Sequence, residues 1–451
     1  MARNRVIYQS EAVYVTQSGY NSNQLTGIAG GAIATGPFKG KGQIPVGNSI
    51  ESLNRIQSAN YSFNISRQDV NQFGELAAID RIITETPTVS FDTNYILANL
   101  ANEQKMGFEV TPSGTSFTDE PSKVVSCISG LIDATTNAFQ KDYFILTTKE
   151  GADAVNNRDT GKYESIIGIG NGFITSYSSE ASVGGLPSAS ISVEGMNMNF
   201  VNLPYSSGPV SEANNKELNN GYGFLFSGVA ANFSDRVLVG ISGENPAISP
   251  TDGTKVDTPI ALPIADESAS GKGAQISALR PGDVTFTLRK KTSDALTDAT
   301  VASSTSNDGL QGANISDAHI QSYTLSFDTS RTPIQKLGTR FAFARPVDFP
   351  ITTTLSVDAI LSNLTTGSIS DIINCDDEYD AIIKIADPVC TTTPKPITMA
   401  YVVRGLKIDS ESFSSSIGDN KSVSLEFSAQ LGGPEQKGIG VFMSGVEGTT
   451  Y

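Results

Sequence analysis

The chain has 451 residues, enough for about three average domains with buried cores, and carries 31 Lys and Arg against 47 Asp and Glu, a net charge of −16. That balance excludes general adhesion to nucleic acid, which needs basic side chains to displace counterions from phosphate. With no Trp, one His and three Cys, chemistry built on clustered imidazoles or thiolates has little material to work with.

From the start, Met1-Ala2-Arg3-Asn4-Arg5 runs directly into Val6-Ile7-Tyr8 with no apolar stretch of signal-peptide length, which predicts the mature start of a cytoplasmically made protein. No run of about 18 apolar residues occurs, so no membrane span is predicted. The Gly-rich stretch Gly36–Gly42 lacks both the earlier glycine and the Ser or Thr after Lys41 that a phosphate loop requires, and predicts an ordinary loop. Beyond it the dominant period is two, the mark of strands with one buried face. Tyr61, Phe63 and Ile65 alternate with Ser62 and Asn64, and Val89, Phe91, Thr93 and Tyr95 with Ser90, Asp92 and Asn94. Helical spacing is rare: Ile96, Leu97 and Leu100 form one short amphipathic face before the polar Asn102–Lys105, and a second short helix is predicted from Ser129-Gly130-Leu131-Ile132.

Gly168-Ile169-Gly170-Asn171-Gly172 has one residue between its last two glycines where a dinucleotide fingerprint needs two, and also predicts a loop. Residues 201–264 read first as a connector, with Pro204, Pro209 and paired asparagines, then as added strands around Phe224-Leu225-Phe226 and Val237-Leu238-Val239. Alternation returns at Val284, Phe286 and Leu288 and again at Val423, Leu425 and Phe427, with the Ser/Thr/Asp tract Thr292–Asp308 an expected exposed loop. His319, the only imidazole, precedes the strand Ile320–Thr329 and predicts a surface or interface position rather than a catalytic base. The acidic run Asp376–Asp380 lacks calcium-loop spacing and predicts a solvated turn before a strand Ala381–Ile385. Cys127, Cys375 and Cys390 form no CxxC pair and predict buried free thiols. No catalytic, cofactor-binding or metal-ligating residue is nominated, and the chain is not expected to be an enzyme, although paired carboxylates of a glycosidase have no fixed spacing by which to find them.

The strongest signal is an internal repeat. Ile56–Leu100 lies over Ile320–Leu364 without gaps, with identities that include Ile56/Ile320, Gln57/Gln321, Phe63/Phe327, Arg67/Arg331, Gly74/Gly338, Arg81/Arg345 and Asn99/Asn363. In the same order, Ile128–Asp133 resembles Ile369–Asn374, Tyr143–Leu146 resembles Asp380–Ile383, and Ile174–Val193 resembles Ile408–Phe427. The fold predicted is mainly β: two tandem copies of a β-sandwich or barrel with short flanking helices, at 1–200 and 265–451, around the intervening 201–264. Fusing two copies of a domain halves the chains needed to close a ring, so a homotrimer would present six quasi-equivalent domains.

Ile56–Gly74, Pro87–Phe91 and Gly172–Gly195, with its Val183-Gly184 turn, resemble the tail tube, or major tail, proteins of tailed bacteriophages. The resemblance implies a domain of two orthogonally packed sheets with a flanking helix, in trimeric rings of the duplicated type known from non-contractile tails. Such rings stack head to tail into a conduit for genome ejection. It also implies a virion location and, as partners, other copies of the chain, the tape measure, tail tip and terminator proteins, and DNA in transit without specific binding. Alternatives in other classes are a baseplate or tail-tip hub, a capsid-associated protein and a carbohydrate-active enzyme. An acidic wall suits the conduit, because it offers passing phosphates no trap. Arg3, Arg5, Lys39 and Lys41, set against Glu11 alone, are expected to meet an acidic surface of the next ring.

Overall fold

The computed structural model describes residues 11–16, 50–83, 88–112, 124–132, 141–148, 163–195, 197–202, 223–225, 238–240, 247–248, 255–256, 282, 284–291, 318–334, 337, 345–361, 377–386, 397–414, 422–433 and 436–445. The first half supplies β1 (Glu11–Thr16), β2 (Ile50–Ser52), β3 (Ile56–Asn64), β4 (Arg67–Val70), β5 (Asp80–Ile83), β6 (Thr88–Ile96), helix α1 (Ala101–Met106), β7 (Val110–Pro112), helix α2 (Ser129–Ile132), β8 (Lys141–Thr148), β9 (Tyr163–Ser182), β10 (Ser188–Gly195) and β11 (Asn197–Asn202). Four short strands follow, β12 (Gly223–Leu225), β13 (Leu238–Gly240), β14 (Ala247–Ile248) and β15 (Lys255–Val256). The second half supplies β16 (Val284–Lys290), β17 (Ala318–Asp328), β18 (Thr352–Leu361), β19 (Tyr379–Ala386), β20 (Ile397–Ser414), β21 (Ser422–Gln430) and β22 (Gly440–Gly445). The protein is mainly β, and sixteen strands join one hydrogen-bonded network along the path β16-β19-β20-β21-β18-β17-β9-β10-β6-β3. Among the described residues, all strand pairings are antiparallel except that of β22 with β7. β12 pairs with β13 and β14 with β15 as separate two-stranded sheets.

One order of pairing occurs twice. β3 pairs with β6, β6 with β10, β10 with β9 and β9 with β8, which pairs with β1. In the same way β17 pairs with β18, β18 with β21, β21 with β20 and β20 with β19, which pairs with β16. Registers agree residue by residue: Ile56↔Tyr95 and Phe63↔Val89 correspond to Ile320↔Ala359 and Phe327↔Thr353, and each ladder slips at the same place, between Ile56 and Ser58 and between Ile320 and Ser322. The bulge in β9 at Thr175, where the partner steps from Ser192 to Val193, corresponds to that in β20 at Asp409. The correspondence between β8 and β19 differs by one residue from the sequence alignment: Tyr143 and Ala381 occupy equivalent bulges. A one-residue slip normally reverses the faces of a strand. Tyr143 to Leu146 and Tyr379 to Ile383 are buried on both faces, so alternation offers nothing to fix the register there.

β9 and β20 are long because each serves two sheets. Residues 163–172 of β9 pair with β8 and β11, whereas 173–182 pair with β10 and β17. Bulges let a strand turn such a corner. Gly168–Gly172 therefore lies inside a strand, not the loop expected from its glycines. A Cβ on Gly172 would sit 2.8 Å from the Tyr143 ring and 2.8 Å from Val193, so only glycine fits at the corner. The first helix also differs from expectation. Ile96 ends β6, Leu97 and Leu100 are buried in the turn that follows, and α1 is formed by the polar Ala101–Met106, closed by Gly107 at φ 108°. The apolar residues anchor the turn to the core, and the helix takes the residues left over.

A continuous apolar core runs through both halves, with Phe91, Tyr95, Ile191, Leu325, Leu355 and Leu425 facing Tyr143, Ile145, Ile383 and Tyr401. Each such side chain, removed from water, contributes about 1.5–3 kcal/mol. Cys127 is a buried free thiol whose burial pushes its pKa up. Cys375, Cys390, Gly27–Gly47, Thr292–Asp308 and Ile369–Asn374 lie outside the described residues.

Candidate functional site

Among the described residues, those singled out from the sequence do not converge on a reaction centre. His319 is the second residue of β17, opposite Ile360. The acidic run departs from a solvated turn at its end: Asp376 lies outside the described residues and Asp377 and Glu378 are half-buried ahead of the strand, but β19 begins at Tyr379 and Asp380 is buried, its Oδ2 3.1 Å from Arg404 Nε. Arg404 supplies the charge that holds Asp380 inside, and Glu378 pairs with Lys291 at 2.7 Å. Arg3, Arg5, Lys39, Lys41 and Gly36–Gly42 lie outside the described residues. Among the described residues no group of three or more His, Cys, Asp or Glu is placed to hold a metal, and no helix is long and apolar enough to cross a membrane.

What the fold does build is a junction between its halves. β17 adds to the free edge of β9 over Ser322↔Ser182 to Asp328↔Ser176. Above this ladder, residues 101–112 and 124–132 of the first half reach over the second. β7 pairs with β22, the Cys127 N–H donates to the Val441 carbonyl at 2.8 Å, and Phe108 meets the rings of Tyr177 and Phe327 at 5.2 and 6.2 Å. Arg331 donates to the Leu131 carbonyl at 2.7 Å and lies over the Phe173 ring, while Arg345 pairs with Glu194 at 2.9 Å.

At the centre is a buried polar cluster. Tyr95 and Tyr177 donate to Glu103 Oε1 at 2.8 and 3.3 Å, and the hydroxyls of Tyr177 and Tyr401 are 2.7 Å apart. Burial pushes the Glu103 carboxyl up to about 7, against the opposing pull of the tyrosine hydrogen bonds. The cluster joins β6, α1 and β9 to β20, so it ties the halves together.

The ends of the same eight-stranded run, β20-β21-β18-β17-β9-β10-β6-β3, repeat the halves of this junction without joining them. Among the described residues, β3 is bonded only to β6, and residues 407–414 of β20 only to β21. Tyr61 and Phe63 of β3 stand on the core side of the sheet yet are exposed, and so is Phe413 of β20. The one-sided burial expected for β3 is absent: among the described residues no further strand pairs along this edge, and its residues are exposed or half-buried. The identity of Phe63 with buried Phe327 was the sequence signal for it, and alternation alone could not reveal it.

The outer face of the run is a carpet of small polar side chains: Ser58, Asn60 and Ser62 on β3, Ser90 and Asp92 on β6, Ser190 and Ser192 on β10, Ser178 and Glu180 on β9, and so across β17, β18 and β21 to Ser410 and Ser412 on β20. Cross-strand hydroxyl bonds knit it together, among them Ser62 to Ser90 at 2.7 Å, Ser192 to Asp92 at 2.6 Å, Ser326 to Thr354 at 2.8 Å and Ser410 to Glu426 at 2.8 Å. Its charges are acidic, with Asp92, Glu180, Asp358 and Glu426 exposed, and Lys407 stands at one end.

The connection between β3 and β6 forms the hairpin β4–β5, and in the connection between β17 and β18 an isolated bridge joins Arg331 to Val347. Phe73 and Leu76 are fully exposed in the first connection, and Leu337, at the position equivalent to Phe73, is fully exposed in the second. No family model matches the chain, and no curated protein matches it either.

Proposed function

We propose that this chain is a structural virion protein of the tail-tube type, a tandem duplication that assembles as a homotrimer into pseudo-six-fold rings. The rings stack head to tail into the conduit through which a phage genome is ejected. The observation that carries this reading is the junction: two halves with one order of pairing meet edge to edge, and the complementary edges recur at the two ends of the eight-stranded run. A head-to-tail contact of this kind closes into a ring or runs on as a filament.

Geometry favours three chains. With strands about 4.8 Å apart and tilted by about 40°, a barrel is about 32 Å across between backbones at 16 strands and about 48 Å at 24. Eight strands per chain give 16 for two chains and 24 for three. Once lining side chains are allowed for, the wider barrel is the one that passes a DNA duplex. The apolar core and the second layer of strands cover one face of the run, so closure with that layer outside turns the Ser, Thr, Asn and acidic face inward. Such a wall wets easily and repels phosphate, and DNA slides past it without specific binding. The exposed Phe73, Leu76 and Leu337 suit stacking between rings, as exposed apolar patches mark contact surfaces.

The test is microscopy of the purified chain. Hollow stacked cylinders support the tube, and a single ring that never stacks supports the alternative of a tail-tip hub. Discrete monomers support neither.

A further inference from the structure

We infer that β3 of one chain adds to the outer edge of β20 in a second copy, at the register that β17 adopts against β9. This rests on the ring-forming reading above and specifies its contact. The shift that carries β17 onto β3 is 264 residues, as Ile320↔Ala359 onto Ile56↔Tyr95, and the shift that carries β9 onto β20 is 234, as Ser176↔Ser192 onto Ser410↔Glu426. Applied to the internal ladder Thr324↔Glu180 through Asp328↔Ser176, these shifts place Asn60 opposite Ser414, Tyr61 opposite Phe413, Ser62 opposite Ser412, Phe63 opposite Glu411 and Asn64 opposite Ser410 of the second copy.

Three observations agree with that register. An edge strand offers a row of backbone donors and acceptors to any strand that fits, and both segments are bonded on one side only among the described residues. Tyr61 and Phe63 are 39% and 57% exposed, whereas Leu325 and Phe327, their equivalents at the occupied junction, are 0% and 2% exposed. Phe413, 51% exposed, falls opposite Tyr61 on the same core side, so one contact covers all three rings. On the other side Asn60 and Ser62 meet Ser414 and Ser412, as Thr324 and Ser326 meet Glu180 and Ser178, and the hydroxyl carpet continues unbroken.

The equivalence ends beside this ladder. Arg331 and Arg345 find Phe173 and Glu194, but the corresponding positions of β20 and β21 hold Lys407 and Ser428. Arg81 instead pairs with Asp69 of its own hairpin at 2.5 Å. The contact between chains is therefore the strand ladder and its aromatic rings, without the arginine clasp of the internal junction.

The test is cross-linking of the full chain carrying Ser62→Cys and Ser412→Cys. Directly opposed antiparallel residues have Cα atoms about 4.5–5.5 Å apart, inside the range a disulfide spans, whereas residues two positions off are about 7–8 Å apart. Mild oxidation is expected to give covalent multimers only when both cysteines are present, and at least tenfold less when Ser412→Cys is replaced by Ser410→Cys or Ser414→Cys. Ring formation is scored on the same samples before oxidation. Rings that cross-link off register, or not at all, overturn the pairing and leave the ring-forming reading standing; absence of both rings and cross-links overturns both. Hydrogen exchange on the unmodified chain is the second measurement: amides of Asn60–Asn64 and Ser410–Ser414 are expected to slow at least tenfold on assembly, and unchanged rates overturn the pairing.

Discussion

Phe63 and Phe327 occupy the same place in the two halves, and replacing each by alanine separates assembly from folding. Phe63 is 57% exposed in the single chain, and Phe327, under the junction, is 2% exposed. Bringing Phe63 to the state of Phe327 removes about 110 Å² from water, and at 25 cal/mol per Å² this contributes about 3 kcal/mol to each contact between chains. Phe63→Ala is expected to weaken each contact by about a hundredfold. The chain's own thermal stability should fall by less than half the loss seen for Phe327→Ala. Phe327→Ala empties a filled core site and should cost the fold about 3–5 kcal/mol. Mass photometry across a concentration series reads the first effect and calorimetry of the dissociated chain the second. The reasoning is refuted if Phe63→Ala assembles at the concentration the parent chain needs, or if it destabilises the single chain as much as Phe327→Ala does.

Glu103 carries a pH dependence. Its folded pKa of about 7 lies above the ordinary 4.5, so the folded state holds the proton more tightly and this group's contribution to stability falls as pH rises from 4.5 to 7, by about 3 kcal/mol in all. Glu103→Gln should be more stable than the parent at pH 8 and lose that advantage at pH 4.5, as measured by denaturant unfolding; equal curves at both pH values contradict the account. Arg404→Met should cost about 3–5 kcal/mol by leaving Asp380 buried without its charge partner, and a midpoint shift in urea too small for that would show the pair to be wetter than its geometry indicates. Phe73→Ser combined with Leu337→Ser should leave rings intact and shorten stacks, read as a length histogram in negative stain; unchanged lengths would remove these two connections from the stacking contact.

Alternation made the strands legible, because a period of two with one buried face is a local property of the chain. β6, β10, β18 and β21 bury the alternate residues the pattern marks. It failed where the deciding fact was a partner. β3 reads like β17, yet β17 has β9 on its second edge, and among the described residues β3 is paired on one edge only. Asp380 sits among acidic neighbours and looked solvated, but Arg404, 24 residues later, holds it inside. Glycines at 168–172 suggested a loop, whereas their role is to let β9 turn a corner against Tyr143 and Val193. The helix after β6 was displaced because two leucines at near-helical spacing serve equally well to pin a turn. The hydroxyl-rich face was present in the sequence as scattered Ser and Thr, and only the cross-strand registers bring those residues onto one surface.

The central claim is that the chain's two open edges find each other in another copy. Electron microscopy of the purified protein at increasing concentration measures this directly. The account predicts rings of three chains with six lobes around an open pore, stacking into cylinders. A chain that stays monomeric at every concentration, or that closes into rings without six lobes, would contradict it.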